Sequence, residues 1–128
     1  MASILVVDDV VSTTKIVEQL LAVKGHQVVR AGNGKEALKI IESQPIDLII
    51  TDIVMPEMDG YELISELRKQ SNPPKIIAMS GGSDKRDGED LLHVAKLLRV
   101  DKVIPKPFGS ASINAAVMEV LGTVRTIA

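Results

Sequence analysis

The sequence predicts a three-layer α/β domain, with a parallel sheet between two layers of helices. Short blocks rich in valine and isoleucine recur along the 128-residue chain, separated by longer stretches whose apolar residues have helical spacing. Blocks that are apolar on both faces are typical of strands buried between helical layers. Because parallel strands need crossover helices, and the crossovers are right-handed, this alternation favours a doubly wound sandwich with a (βα)5 pattern.

Each element of this pattern can be placed on the chain. The strand-like blocks cover residues 4–7, 28–29, 46–50, 76–79 and 103–104. The helical stretches cover residues 12–24, 35–42, 60–70, 89–98 and 110–121. We expect Asn33 or Gly32 to lie near the N-cap of the second helix. Pro105 places the last strand at an edge of the sheet, because proline lacks the N–H that an interior strand would donate.

Composition excludes several classes of function. The 15 basic and 17 acidic residues give a net charge of −2, so no positive electrostatic field attracts the phosphates of a nucleic acid. With only two aromatic residues, the chain has little surface on which bases could stack. The absence of cysteine excludes disulfides, zinc–thiolate sites and thiol chemistry. The apolar runs are too short to span a membrane, and the start of the chain lacks a signal peptide's basic region. We therefore expect a cytoplasmic domain over residues 1–122 with a short tail over 123–128, and neither nucleic acid nor membrane as a partner.

Polar residues follow the predicted strands at their carboxyl ends, where open α/β sheets bind ligands. Asp8 and Asp9 follow the first strand, Asp52 the third, Ser80 the fourth and Lys106 the fifth. Several carboxylates at one edge repel one another, so the pattern favours a bound divalent cation or a paired lysine. Oxygen ligands of this kind suit magnesium or manganese.

Each of these residues also has an ordinary structural interpretation. Asp9 could cap the first helix, Asp52 could cap a turn, and Lys106 could be an exposed strand end. The chain has no glycine-rich loop after its first strand, so neither a P-loop nor a dinucleotide-binding motif is present. The structural interpretations would all have to hold together, and they do not explain why acidic groups converge opposite one lysine.

Five motifs in this order resemble the response-regulator receiver domain, the CheY-like phosphoacceptor module of two-component signalling. They are Ile-Leu-Val-Val-Asp-Asp at 4–9, the block 47–56 ending in Met-Pro, Met-Asp-Gly at 58–60, Ile-Ala-Met-Ser at 77–80, and Lys-Pro-Phe at 106–108. The resemblance covers essentially the whole chain. It implies a five-stranded parallel sheet in the order 2-1-3-4-5, which agrees with the pattern of apolar blocks.

The resemblance also implies a metal site and a phosphorylation site. Asp52 would be the phosphoacceptor, attacking the phosphohistidine of a sensor histidine kinase or a histidine phosphotransfer protein. Asp9, Asp52 and the backbone carbonyl of Val54 would hold Mg²⁺ (or Mn²⁺), with Asp8 acting mostly through bound water.

Two further side chains would serve the phosphoryl group. Lys106 would pair with Asp52 before transfer and with a phosphoryl oxygen after it. The Ser80 hydroxyl would bind the phosphoryl group and act as a switch by drawing its loop inward.

Four departures from the family pattern bear on signalling. Val103 occupies the switch position that usually carries an aromatic residue. The coupling of phosphorylation to output must therefore differ from the aromatic switch of the family. The segment 81–89 is long and glycine-containing, and is either the moving element or a solvated loop. Residues 98–101 lack the usual glycine, so we expect a cap that is not left-handed. Val54 and Gly82 offer no polar group to position water, which predicts a long-lived phosphoryl group.

These features predict a stand-alone receiver whose phosphorylation switches a surface for a partner protein. It would be a phosphoacceptor rather than a turnover enzyme, and a monomer for which the family allows phosphorylation-linked dimerisation. One alternative is a pseudo-receiver, an interaction module that no longer accepts phosphate. Another is an aspartate-nucleophile phosphatase of the haloacid dehalogenase type, which places a second aspartate where this chain has Val54.

Overall fold

Strands and helices alternate along the part of the chain that the computed structural model describes, residues 2–53, 60–80, 99–106 and 109–122. The elements are β1 (Ser3–Val7), α1 (Val11–Ala22), β2 (Gln27–Ala31), α2 (Gly34–Ser43), β3 (Leu48–Asp52), α3 (Gly60–Arg68), β4 (Lys75–Ser80), β5 (Lys102–Pro105) and α4 (Ser110–Leu121). The predicted helix over 89–98, the segment 81–89 and the tail over 123–128 lie outside the described residues. Among the described helices, none combines the length and apolarity needed to cross a bilayer.

The five strands form one parallel sheet in the order β2-β1-β3-β4-β5, which confirms the predicted fold class and strand order. β5 lies at an edge and pairs with β4, with Pro105 opposite Ser80. The edge position predicted from Pro105 is therefore confirmed. Because every strand runs in the same direction, all five carboxyl ends reach the same edge of the sheet.

Both faces of the sheet are buried, which explains the unbroken apolar runs of the strands. Alternate residues of each strand point to opposite faces. One face packs against α1 and α4, and its core contains Ile4, Val6, Val17, Leu21, Leu48, Ile50, Ile77, Met79, Ile104, Ile113, Ala116 and Val117. The other face packs against α2 and α3, and its core contains Leu5, Val7, Ala31, Ala37, Ile49, Leu63, Ile64, Leu67 and Ile76.

The start of α2 shows the predicted cap. Asn33 is the N-cap, and its side chain accepts a hydrogen bond from the Glu36 backbone N–H at 2.9 Å. The Glu36 carboxylate in turn accepts from the Gly32 backbone N–H at 2.7 Å. These two contacts satisfy N–H groups that a helix start otherwise leaves without partners.

Two aspartates that sequence analysis did not single out tie the strands together at the opposite, amino edge. Asp47 directly precedes β3, and its Oδ2 accepts from the Ser3 backbone N–H at 2.8 Å. Asp101 directly precedes β5, and its Oδ2 accepts from the Ile76 backbone N–H at 2.8 Å. The backbone N–H of each aspartate also donates to the carbonyl of the same partner residue. Each aspartate thus holds the start of its own strand beside a neighbouring strand.

Asp101→Ala is expected to lower the free energy of unfolding by about 1 kcal/mol, because the Ile76 N–H loses its acceptor. Asp101→Asn keeps a side-chain oxygen and should stay close to the wild type. Urea unfolding followed by circular dichroism measures both. Glu66→Ala is the control: it removes an exposed ion pair with Lys69 and should change stability by only a few tenths of a kcal/mol. Equal losses in Asp101→Ala and Asp101→Asn would contradict the assigned role.

Candidate functional site

Carboxylates and a lysine meet at the carboxyl edge of the sheet. Asp8 directly follows β1, Asp52 is the last residue of β3, and Lys106 directly follows β5. Carboxylate oxygens of Asp8, Asp9 and Asp52 all lie within 4.8 Å of one another. The structure therefore brings together four of the residues that the sequence analysis placed at this edge.

Asp8 is the most deeply buried member, at 1% exposure. Its Oδ1 accepts from the Val10 backbone N–H at 3.0 Å, and its Oδ2 accepts from Lys106 Nζ at 2.8 Å. Both carboxylate oxygens are thus held. This direct ion pair adds to the water-mediated role that the family resemblance implied for Asp8.

Asp9 is exposed and has a different environment. The N-cap of α1 is Val10, with no side-chain cap, so the alternative that Asp9 caps this helix is not supported. Within the described ranges, the Asp9 carboxylate has no hydrogen bond or ion pair. It therefore adds a negative charge to the cluster that no described side chain neutralises by contact.

Asp52 is almost fully buried, and its two oxygens have different partners. Oδ1 accepts from the Ile53 backbone N–H at 2.9 Å, whereas Oδ2 lies 3.4 Å from Lys106 Nζ. Sequence analysis did not find the Ile53 contact, because a backbone N–H leaves no signal in residue type. The contact fixes the orientation of the carboxylate and leaves Oδ2 turned toward the lysine.

Lys106 bridges two carboxylates, with the shorter distance to Asp8. The sequence analysis paired it with Asp52 alone. Its side chain is only 22% exposed, so the ammonium lies in an environment that strengthens both contacts. Among the described residues, three carboxylates and one ammonium meet at this edge, so negative charge is in excess there.

The pKa values of the site reflect this burial and crowding. Burial raises the pKa of Asp52, and the charge of Asp8 raises it further, while the charge of Lys106 and the hydrogen bonds from Lys106 and Ile53 act in the opposite direction. Burial by itself lowers the pKa of Lys106, but the hydrogen bond to Asp8 and the charges of Asp52 and Asp8 outweigh it and raise the pKa. The lysine is therefore held in its charged form.

Other predicted positions are only partly described. Ser80 is the last residue of β4, and its side chain lies outside the described part of the structure, as do Val54 and Gly82. Val103, in β5, is 5% exposed and packs in an apolar cluster. The expectation for residues 98–101 was wrong: Arg99 has φ of 63°, so the backbone is left-handed there without a glycine.

The side chains present fit a divalent cation. Carboxylate oxygens are hard ligands that Mg²⁺ and Mn²⁺ prefer, and the geometry places Asp8, Asp9 and Asp52 close enough to share one ion. The excess negative charge favours a cation further, because one lysine balances only one of three carboxylates. Fold and site together define the class: a doubly wound α/β domain with a carboxylate–lysine site suited to a metal at the carboxyl edge of its sheet.

Comparison with known proteins identifies the family. The family described as "Response regulator receiver domain" has a sequence model that matches residues 4–118 of this chain. The chain is 38% identical over 120 residues to the probable transcriptional regulator ycf27 of Porphyridium aerugineum. The matched region covers 92% of this chain and 47% of that protein. The chain belongs to the response regulator receiver family, and it spans about half the length of the curated relatives it matches.

Solved structures support the same assignment. The receiver domain of the Francisella response regulator 1452 matches with a TM-score of 0.83 at 26% identity, covering 98% of this chain and 100% of that one. The response regulator TrrA from Thermotoga maritima, in complex with Mg²⁺ and BeF, matches with a TM-score of 0.78 at 32% identity, covering 94% of this chain and 99% of that one. The strand order of this sheet is therefore that of a CheY-like receiver.

Asp52→Asn is expected to raise the midpoint of thermal unfolding at pH 7 by a few degrees. The amide removes a buried charge and its repulsion from Asp8, while Lys106 keeps Asp8 as a partner. Because the folded-state pKa of Asp52 is raised, the folded protein holds this proton at higher pH than the unfolded chain, so ionised Asp52 lowers stability above that pKa. The advantage of the variant should shrink as the pH falls through the raised folded-state pKa and disappear below the ordinary pKa of 3.8, where both states are protonated.

Calorimetric scans of both proteins between pH 3 and pH 7 are the measurement. Asp47→Asn, at the other edge of the sheet, is the matched control and should not show this gain. An Asp52→Asn protein less stable than the wild type at pH 7 would contradict the interpretation.

Proposed function

We propose that this domain accepts a phosphoryl group on Asp52 from the phosphohistidine of a histidine kinase or a histidine phosphotransfer protein. One observation carries the proposal: the Asp52 carboxylate is oriented by the Ile53 N–H through Oδ1, while Oδ2 faces Lys106 beside two further carboxylates. Pairing with a lysine would serve a structural aspartate equally well, but a structural pair does not need the two further carboxylates that lie within 4.8 Å. The domain then acts as a phosphoacceptor, not as a turnover enzyme.

The transfer step follows from the two oxygens of Asp52. Oδ2 forms a bond to phosphorus while the bond between phosphorus and the donor's ring nitrogen breaks. That nitrogen takes the electron pair, and the donor ring, protonated on its other nitrogen, is left as neutral imidazole. Oδ1 is the poorer nucleophile, because it accepts the shorter hydrogen bond, 2.9 Å from the Ile53 nitrogen, whereas Oδ2 lies 3.4 Å from Lys106 Nζ. The Lys106 ammonium lies 3.4 Å from Oδ2, close to where the phosphoryl oxygens arrive, and offsets their charge.

Asp8, Asp9 and Asp52 would hold the divalent cation, together with the backbone carbonyl of Val54. When bound, Mg²⁺ supplies positive charge that offsets the repulsion between the carboxylate and the phosphoryl oxygens. The TrrA structure, solved with Mg²⁺ and BeF, supports this choice of ion for a domain of the same fold. Mn²⁺ suits the same oxygen ligands.

The phosphorylation test uses acetyl phosphate as a small donor, with and without Mg²⁺, followed by intact mass. We expect one phosphoryl adduct that requires Mg²⁺ and is lost in Asp52→Ala. Asp47→Ala, an aspartate at the opposite edge, should keep the adduct. Absence of any adduct would favour the pseudo-receiver, and sustained turnover of a phosphoester such as p-nitrophenyl phosphate would favour the phosphatase.

Lys106→Met should change metal binding and phosphorylation in opposite directions. Removing an ammonium that contacts Asp8 at 2.8 Å leaves the carboxylates more negative, so Mg²⁺ should bind several-fold more tightly. Phosphorylation by acetyl phosphate should slow roughly 100-fold, because the phosphoryl oxygens lose a positioned cation.

Titration calorimetry measures the first effect and intact mass over time the second. Lys102→Met is the matched control: Lys102 begins the strand that Lys106 follows, but it pairs with Glu119, away from the acidic edge. Weaker Mg²⁺ binding in Lys106→Met, or unchanged phosphorylation, would count against the proposed role of the lysine.

The wider role concerns what the phosphorylated domain controls. We propose that it controls a surface for a partner protein made of β5, α4 and the predicted helix over 89–98. That helix lies outside the described residues. A second candidate is the receiver part of a longer transcriptional regulator, which is favoured because the chain spans about half the length of relatives so named. The mass of the natural protein separates them: 13.8 kDa supports a stand-alone receiver, and about twice that supports the regulator.

A further inference from the structure

A small apolar cluster lies directly beside the acidic site. It contains Ile53, Ala78 and Val103, which are 7%, 0% and 5% exposed, and Val100 packs against it. Ile53 directly follows β3, Ala78 lies in β4, and Val103 and Val100 lie in β5 and just before it. Ile53 belongs to the cluster through its side chain and to the acidic site through its backbone, because its N–H donates to Asp52 Oδ1 at 2.9 Å.

The cluster extends across three neighbouring strands. Val103 pairs with Ala78 in the β4–β5 register, and Ala78 pairs with Thr51 in the β3–β4 register. Ala78, on the strand between them, therefore lies between Ile53 and Val103 in the cluster. A peptide group whose side chain is packed in this way has little freedom to turn its N–H away from the carboxylate.

The chain leading into Val103 is itself held in place. Asp101 makes two hydrogen bonds with the Ile76 backbone, and Val100 contacts both this cluster and the core under α2 and α3. Arg99 keeps a left-handed backbone, a conformation that persists in a non-glycine residue only where the surroundings enforce it. The backbone that leads into Val103 is thus held by contacts with β4 and with two apolar clusters.

We propose that Val103 is a positioning residue for Asp52. By completing the apolar cluster that contains Ile53 and Ala78, it holds the Ile53 N–H on Oδ1 and so keeps Oδ2 directed toward Lys106. This replaces the moving aromatic side chain of the family pattern with a static apolar contact. The kinetic consequence rests on the proposed function, whereas the structural consequence does not.

The first arm measures the Ile53 amide in metal-free, unphosphorylated protein by NMR. Val103→Ala removes two methyl groups from the cluster, and we expect the Ile53 amide resonance to move and its hydrogen exchange to quicken about tenfold. Val117→Ala is the matched control, since Val117 is a buried valine in the core on the α1 and α4 face. It should lose comparable stability without changing the Ile53 amide.

Val103→Thr separates the effect of the side-chain shape on the Ile53 amide from the effect of lower overall stability. Threonine keeps the shape of valine but buries a hydroxyl, so the protein should lose stability while the Ile53 amide stays close to its wild-type position. The proposal would be overturned if the Ile53 amide resonance and its hydrogen exchange were unchanged in Val103→Ala. It would also be overturned if both changed equally in Val117→Ala.

The second arm measures phosphorylation by acetyl phosphate at saturating Mg²⁺. Val103→Ala should be roughly fivefold slower, because a loosened carboxylate spends less time in the attacking orientation, while Val117→Ala and Val103→Thr should match the wild type. If no variant is phosphorylated, the proposed function fails and the first arm still decides the role of Val103. If the amide moves in Val103→Ala and the rate does not, Val103 supports Ile53 without positioning the acceptor, and the proposal fails.

Discussion

The common direction of all five strands is the constraint on which the rest of the structure depends. Because the sheet is parallel and covered by helices on both faces, its strands must be apolar on both sides, and polar residues can gather only at strand ends. The carboxyl ends gather Asp8, Asp52 and Lys106 at one edge. At the other edge, Asp47 and Asp101 accept the N–H groups of neighbouring strands. One edge is thereby closed by hydrogen bonds and the other retains excess charge.

That excess charge links stability to chemistry. Crowded, buried carboxylates destabilise a fold unless a cation lies among them, and Lys106 provides one positive charge for three negative ones. The raised pKa of Asp52 is the sign that the lysine does not fully compensate its burial and the charge of Asp8. A site of this kind gains stability from a divalent cation, which offsets the repulsion between the carboxylates. The cost of burying the carboxylates and their fitness for the phosphoryl transfer that we propose have the same physical origin.

The Ile53 peptide connects this charged edge to the apolar interior. Its N–H contacts Asp52, and its side chain belongs to the same buried cluster as Ala78 and Val103. The proposed role of Val103 links the acceptor to the edge strand through this cluster. Any change of surface on phosphorylation must then arise elsewhere or move the strand as a whole.

The amino-acid sequence by itself determined the architecture, because its signals are local. Two-sided apolar blocks imply parallel strands between helices, Asn33 followed by Glu36 marks a helix start, and Pro105 marks an edge strand. Acidic residues after strands one and three indicated where the site lies. These features depend on a few neighbouring residues and on the direction of the strands, and not on distances across the fold.

Only the tertiary structure decided which groups touch. Lys106 contacts Asp8 more closely than Asp52, although 98 residues separate it from Asp8, because the register of β1, β3, β4 and β5 sets how far each strand end projects. The Ile53 N–H on Asp52 and the left-handed Arg99 depend on backbone angles that side-chain identity does not encode. Contacts of this kind are set when the strands pack, since their energy comes from partners distant in sequence.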